Sequence, residues 1–252
     1  MKISVITVCY NSAATIRDTV ESVVAQDYPD VEYIIVDGGS SDHTLNILRA
    51  YETQITKLIS EPDRGIYDAM NKGLKLATGD IIGFINADDF YNSKQSLSLI
   101  AQAVQAEDIE ACYGDLSYIS RHNSANIVRY WRSSDFKPGL FAKAWCPPHP
   151  TFYARRSVFE RFGDFDLNYK IAADMELMLR FMEVNKIRTR YIPAVLVKMR
   201  TGGASDGNLR SILAQNQEIF SAFIKHRIKI SAWRFWLNKI MARVRQFIMR
   251  PA

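Results

Sequence analysis

The sequence predicts an α/β fold built on a mostly parallel sheet with flanking helices, and three observations carry that expectation. Short apolar runs rich in β-branched residues alternate with segments of helical period over the first ninety residues. Carboxylates and small polar residues stand where those runs end. At 252 residues the chain is long enough for one sizeable core with a small appendage.

The elements follow in order. ISVITV, Ile3 to Val8, reads as the first strand. Ser12 offers a helix cap, and Ile16, Val20, Val23 and Val24 recur at helical spacing until Tyr28-Pro29 stops the element. EYIIVD, closing at Asp37, is the second strand, after which Ser40 and Ser41 can cap a helix carrying Leu45, Ile47 and Leu48. KLIS supplies a third strand. Gly65 to Ala77 is helical by pattern, and IIGFIN, Ile81 to Asn86, is a buried fourth strand. Beyond Asp89 the pattern is mixed: a helix over Ser96 to Ala106, a strand EACYGDL, a hairpin-like stretch to Arg132, a strand TFYA, a helix from Ala173 to Glu183 and a strand RYIPAVLVKMR. Gly, Ser and Asp cluster in TGGASDGN, which places a boundary between a domain 1–205 and a helical basic segment 206–252.

No run of apolar residues is long enough to span a bilayer, and MKISVITVCYN reads as a strand rather than a signal peptide, so a cytoplasmic protein is expected. Cys9, Cys112 and Cys146 are far apart and lack metal-ligand spacing, which leaves them as buried or incidental thiols. From Lys225 onward there is no acidic residue, while Trp233, Trp236, Leu237, Ile240, Met241, Val244 and Phe247 recur at intervals of three and four. Such a basic amphipathic helix suits an anionic membrane surface, or a face packed on the core or on a second subunit.

Open α/β sheets bind ligands at the carboxyl ends of their strands. There the sequence sets Asp37 and the pair Asp88-Asp89, with Asp174 arriving later at a helix start. Converging carboxylates are costly to desolvate, and they suggest a bound cation or a polar substrate. Mg²⁺ or Mn²⁺ held by one or two of them keeps positions open for phosphate oxygens. Each feature also has a plain structural account: an Asp pair can end a strand in a turn, and an Asp before an apolar periodic run can cap a helix.

Several motifs in order resemble the family-two glycosyltransferases with their GT-A fold: SVITVCYNS, EYIIVDGGSSDHT, ATGD leading into IIGFINADD, and HPTFYARRSVFERFGDFDLNYKIAADMELMLR. The resemblance runs from Ile3 to about Ser205. It implies an inverting transfer of a sugar from a nucleotide-diphosphate donor to an acceptor hydroxyl, with the metal at Asp89 and Asp88 beside it, Asp174 as general base, and Thr7 and Asp37 lining the nucleotide. The family often carries a second carboxylate after Asp37, where it contacts a uracil ring; this chain has Gly38. The acidic residue commonly preceding the base is Ala173 here, and no QxxRW-type signature of processive synthases is present, so a single transfer per encounter is expected.

Arg64 and Arg200 stand in expected loops and can each pair with diphosphate or remain solvated. Asn71 can face the nucleotide or sit exposed on its helix. His149 can contact acceptor or donor phosphate or be structural; Trp131 and Trp145 can stack on sugar faces or pack in the core. The expected partners are a nucleotide-sugar donor, a saccharide or lipid-linked saccharide acceptor in cell-surface polysaccharide synthesis, an anionic membrane surface at its inner face, and no nucleic acid; a homo-oligomer stays open. Two other classes share parts of the pattern. A sugar nucleotidyltransferase would carry a Gly-rich basic loop after the first strand, where this chain has CYNSAAT. A non-catalytic nucleotide-sugar-binding module would have no need of Asp174.

Overall fold

The computed structural model describes residues 1–121, 123, 125–202 and 209–248. Strand β1 (Ile3–Cys9) is buried along its whole length and pairs in parallel with β2 (Val31–Asp37) on one side and β4 (Ile81–Phe84) on the other; β3 (Lys57–Ser60) adds in parallel to β2. Beyond β4 the sheet turns mixed. Strand β8 (Tyr153–Arg155) runs antiparallel to both β4 and β6 (Ala111–Ile119), β9 (Thr189–Arg200) runs parallel to β6, and β5 (Asp89–Tyr91) closes the edge antiparallel to β9. The order is β3-β2-β1-β4-β8-β6-β9-β5, with β7 (Ile127–Trp131) hairpinned onto β6.

Alternation along the central strands sorts their side chains into two cores. Ile6, Val8, Ile34 and Val36 face α3 (Ile66–Leu76), whose Tyr67, Met70 and Leu74 pack on them. Ile3, Val5, Tyr33 and Ile35 face α1 (Ile16–Val24), α2 (Thr44–Arg49) and α4 (Ser96–Ala103) through Val20, Leu48 and Ile100. Because both faces are covered, the strands read as near-continuous apolar runs. Gly73 brings α3 close: a Cβ there would stand 2.5 Å from the Ile6 side chain.

The first core continues into α5 (Arg156–Phe162), α6 (Ala173–Met178) with the π-helical turn Leu179–Val184 that follows it, and α7 (Leu209–Lys225). Helix α7 buries Ile219, Ala222 and Phe223 in that core, so it packs as part of the same body. The expected boundary at residue 205 lies outside the described residues. Helix α8 (Ala232–Ile248) buries Phe235 against Phe220 and Phe223 and leaves most of its apolar residues exposed. Among the described residues no helix is long and apolar enough to cross a membrane.

Three local expectations change. Helix α1 starts at Ile16 rather than at Ser12, whose carbonyl accepts from the Thr15 and Ile16 amides. Helix α2 starts at Thr44, where Asp42 accepts from the Thr44 amide, while Ser40 turns its hydroxyl to Asp37. Asp89 lies inside the short strand β5 rather than in a loop after the fourth strand.

Candidate active site

A cavity of about 1170 Å³ opens at the carboxyl ends of β1 and β4 and extends to α8. Pockets for one small ligand commonly measure roughly 300–1,000 Å³, so this one has room for more than a single small molecule. One end is lined by Cys9 to Ser12, Asp63 and Asp88; Asp174 and His149 line it further along, and Trp236, Lys239 and Arg243 form the α8 wall.

This first end is built by two interlocked loops. Asn11, held at a positive φ of 48°, donates its amide to the Ser40 hydroxyl and accepts from the Ser41 amide; the Ser12 and Ala13 amides reach Thr44 Oγ1 and Asp42 Oδ2. Asp37 is the organiser beneath them. Its buried carboxylate accepts from the amides of Gly39 and Ser40 and from the hydroxyls of Ser40 and Ser60. Burial alone would raise its pKa, but those hydrogen bonds bring it below the usual carboxylate range. Gly38 leaves a gap that another carboxylate fills: a Cβ there would stand 2.4 Å from Asp63 Oδ2 and 3.4 Å from the Tyr10 ring. Tyr10 itself is 63% exposed at the rim, a ring face open to a flat ligand.

Asp174 stands in the first turn of α6, not at its cap; the cap position is Ala172, and no side chain caps the helix. Tyr67 fixes it. The Tyr67 hydroxyl lies 3.0 Å from Asp174 Oδ1 and 2.9 Å from the Ile171 carbonyl, so it donates within this pair of acceptors. Burial, then the Asp174 charge, keeps the phenol protonated far above neutrality. The segment leading into α6 is held from α7, where Glu218 accepts from the amides of Lys170, Ile171 and Ala172 at 2.8, 2.9 and 2.9 Å. Fully buried Glu176 strengthens the same joint by accepting from Arg180, Lys225 and His226. His149 stacks on Phe84 beside Asp174; its burial lowers its pKa, which leaves a neutral imidazole on the cavity wall.

Asp88 lines the cavity, whereas Asp89 is fully buried beneath it. Burial raises both carboxyl pKa values, that of Asp89 strongly and with the Asp88 charge adding to it. Asn86 donates to Asp89 Oδ2 at 3.1 Å, but Asp89 Oδ1 and Asn86 Oδ1 have no donor among the described residues. Orphaned buried oxygens beside a cavity carboxylate fit a hard divalent cation. No three acidic, His or Cys residues cluster as a complete ligand set among the described residues. That suits Mg²⁺ or Mn²⁺ sharing its shell with a ligand's phosphates, which needs only one or two carboxylates.

The remaining sequence candidates divide. Arg200 is the last residue of β9 rather than part of a loop; it lines the cavity, pairs with Asp18, donates to the Asp88 carbonyl at 2.9 Å and lies over Phe90. Thr7 does not reach the cavity: it is fully buried, 3.1 Å from the Tyr33 hydroxyl. Asn71 is buried rather than exposed on its helix; its amide exchanges two hydrogen bonds with the Phe165 backbone, and it is not among the residues that line the cavity. Arg64 is 77% exposed, pairs with Asp68 and stays outside this cavity. Trp131 and Trp145 line the cavity while stacking on Tyr118 and packing against Tyr113 and Phe141. Sequence reasoning missed Tyr10, Asp63, Tyr67 and Glu218. Tyr10 lies inside the motif SVITVCYNS, and Asp63 and Tyr67 lie in EPDRGIY between two of the quoted motifs, but Glu218 has no local signal at all.

A GT-A sheet with carboxylates at its carboxyl edge, and Asp174 lining the same cavity, is the arrangement that the resemblance to glycosyltransferases implies. The chain belongs to glycosyl transferase family 2, whose family model matches residues 4–163. It is 30% identical over 208 residues to a PGL/p-HBAD biosynthesis glycosyltransferase of Mycobacterium bovis (strain BCG / Pasteur 1173P2), covering 81% of this chain and 78% of that protein. An uncharacterized glycosyltransferase of Nostoc sp. (strain PCC 7120 / SAG 25.82 / UTEX 2576) is 28% identical over 97% of this chain and 77% of its own length. Among solved structures, S. aureus TarS 1–349 in complex with UDP-GlcNAc superposes with a TM-score of 0.70 at 20% identity, over 89% of this chain and 67% of that one. The mannosyltransferase PcManGT from Pyrobaculum calidifontis, in complex with GDP-Man and Mn²⁺, superposes with a TM-score of 0.67 at 21% identity, over 96% and 73%. These two structures share the fold.

Proposed function

We propose that the protein is an inverting, metal-dependent glycosyltransferase acting on a nucleotide-diphosphate-sugar and an acceptor hydroxyl. The observation that carries this reading is that Asp88 and Asp174 line one cavity, with Asp174 tethered by Tyr67. The nucleobase end binds where Tyr10 and Asp63 meet the Asp37 loop, with a ring face for stacking and a carboxylate for the base edge. Asp88, with Asp89 behind it, would hold Mg²⁺ or Mn²⁺, which when bound would neutralise charge on the departing diphosphate. Arg200 keeps the Asp88 backbone in place. Asp174 takes the proton of the acceptor hydroxyl as its oxygen attacks the anomeric carbon, a contribution of about 10² to 10⁴ in rate, and attack opposite the leaving group inverts the sugar's configuration. The donor classes in the solved relatives, UDP-GlcNAc and GDP-Man, support a sugar nucleotide, and the Mn²⁺ of the latter supports the cation.

The acceptor in this reading is a lipid-linked saccharide of cell-surface polysaccharide synthesis, and the enzyme works from the cytoplasmic face of an anionic membrane. Its support is α8, which exposes Trp233, Leu237, Val244 and Phe247 among basic residues and follows a stretch with no acidic residue. The test is release of nucleoside diphosphate from a panel of sugar nucleotides with Mn²⁺ or EDTA. Transfer requires diphosphate release that EDTA stops. Release of pyrophosphate instead, or full activity in EDTA, would overturn the reading.

A further inference from the structure

Trp236 and Ile240 line the cavity and are 36% and 59% exposed, and Val244 and Phe247, which follow Ile240 at helical spacing, are exposed without lining it, so α8 carries apolar surface beyond the cavity. Among its described residues only Phe235 is buried. Phe235 is thus its one fully buried large side chain among the described residues; the helix also packs against β7 and the turn Phe141–Lys143, and its apolar residues on through Val244 and Phe247 stay exposed.

Lys239 and Arg243 stand one turn apart on the cavity side of that helix. Lys239 Nζ donates to Asn216 Oδ1 at 2.6 Å, and no carboxylate of a described residue pairs with either cation. Burial and the charge of Arg243 both lower the Lys239 pKa, as expected of two cations that share a site without a counter-ion. Arg129 of β7 lines the same cavity and lies 5.9 Å from the Phe247 ring. A wall with two cations that have no counter-ion among the described residues, beside exposed apolar side chains, fits an anionic group attached to a hydrocarbon chain.

We infer that Lys239 and Arg243 form a subsite for the phosphate of a lipid-borne acceptor, whose chain lies along the exposed apolar face of α8 and whose sugar reaches toward Asp174. The sugar end rests on the proposed transfer; the phosphate subsite is tested without it. The chain is offered phosphatidylcholine vesicles carrying a polyprenyl phosphate at low mole fraction, the same vesicles with the uncharged polyprenol, and vesicles containing phosphatidylglycerol. The unaltered protein should prefer polyprenyl phosphate over polyprenol by at least about tenfold. The double variant K239Q/R243Q should lose that preference, and Arg243→Gln alone, at an exposed position, should lose at least about threefold of it. The control R234Q/R245Q removes equal charge from outside the cavity; it should keep the preference while weakening on phosphatidylglycerol.

Equal losses in the two double variants would reduce the effect to general attraction and overturn the subsite. Displacement of the lipid by an equal concentration of inorganic phosphate would make it a free-phosphate site, and a tenfold loss of sugar-nucleotide affinity in K239Q/R243Q would assign the pair to the donor; either result overturns the inference. Loss of the expected preference with normal turnover on a soluble acceptor removes the subsite and leaves the transfer reading. A preference abolished by K239Q/R243Q, with no diphosphate release from any donor, supports the subsite and removes the transfer reading.

Discussion

Glu218 lies on a helix far along the chain from the motifs of the family, yet it holds the segment that delivers Asp174. Replacing it by alanine removes the acceptor for three backbone amides. The Lys170 amide is at an exposed position, so water can take over there, whereas those of Ile171 and Ala172 are part-buried. Orphaning two such donors costs about 1–3 kcal/mol each, roughly 2–4 kcal/mol together after partial rehydration. For a chain of this size that lowers Tm by about 5–12 °C. The catalytic consequence is separate. Asp174 follows Ala172 by two residues, and a misplacement of about 1 Å can cost roughly 10² in rate. We expect Glu218→Ala to lower kcat about 10- to 100-fold, measured by single-turnover diphosphate release below its melting range. Donor affinity should stay within about twofold, because Glu218 touches neither loop of the donor end. Glu218→Gln, which keeps an acceptor oxygen, should recover part of the loss. A normal kcat in folded Glu218→Ala would refute the positioning role, and equal losses in kcat and donor affinity would show that the whole cavity had moved.

Asp174→Asn keeps the bond from Tyr67 but cannot take a proton, so kcat should fall at least about 10²-fold with Tm nearly unchanged; near-normal turnover would remove the base assignment. Asp88→Asn should abolish the gain in Tm that donor and Mn²⁺ give together. Asp89→Asn separates two effects: burial already disfavours its charge, so the variant should match or exceed the parent in Tm without metal, and lose the Mn²⁺-dependent gain. A loss of stability without metal would show that the orphaned oxygen has another partner. Glu32 gives a pH test. Burial would raise its carboxyl, but bonds from Ser4 and Thr78 and the Lys57 charge bring it to about 2, from an ordinary 4.5. A depressed carboxyl pKa stabilises the fold above the unfolded value, and that stability is lost as pH falls through the folded one. Glu32→Gln should therefore cost about 2 kcal/mol at pH 7, with the difference from the parent closing between about pH 4.5 and 2 in urea melts; a gap that persists at the acid end would contradict the linkage.

The parallel half of the fold was legible because strands covered on both faces are near-continuous apolar runs, and β1, β2 and β4 read that way despite Ser4, Thr7, Glu32 and Asp37. Strand β5 was not, since three residues acquire strand character only by pairing with β9 more than a hundred residues later. Helix caps were misread where hydroxyls serve other loops: Ser40 works for Asp37. At the site, residue type showed that carboxylates gather at the strand ends but not which of them reaches solvent, so that Asp88 and Asp89, adjacent in sequence, lie on different sides of the cavity floor. Asn71 and Glu218 depend on partners 94 and 46 to 48 residues away, and no local pattern encodes such a bond.

The gap above Gly38 constrains how this chain can change. Asp63 already occupies the volume into which a side chain at position 38 would grow. A carboxylate placed at position 38 would set two like charges side by side unless the Asp63 side chain turned away, so substitutions at the two positions are coupled rather than additive. Where this end of the cavity holds the base of a donor, its preference is then a property of two loops rather than of one residue.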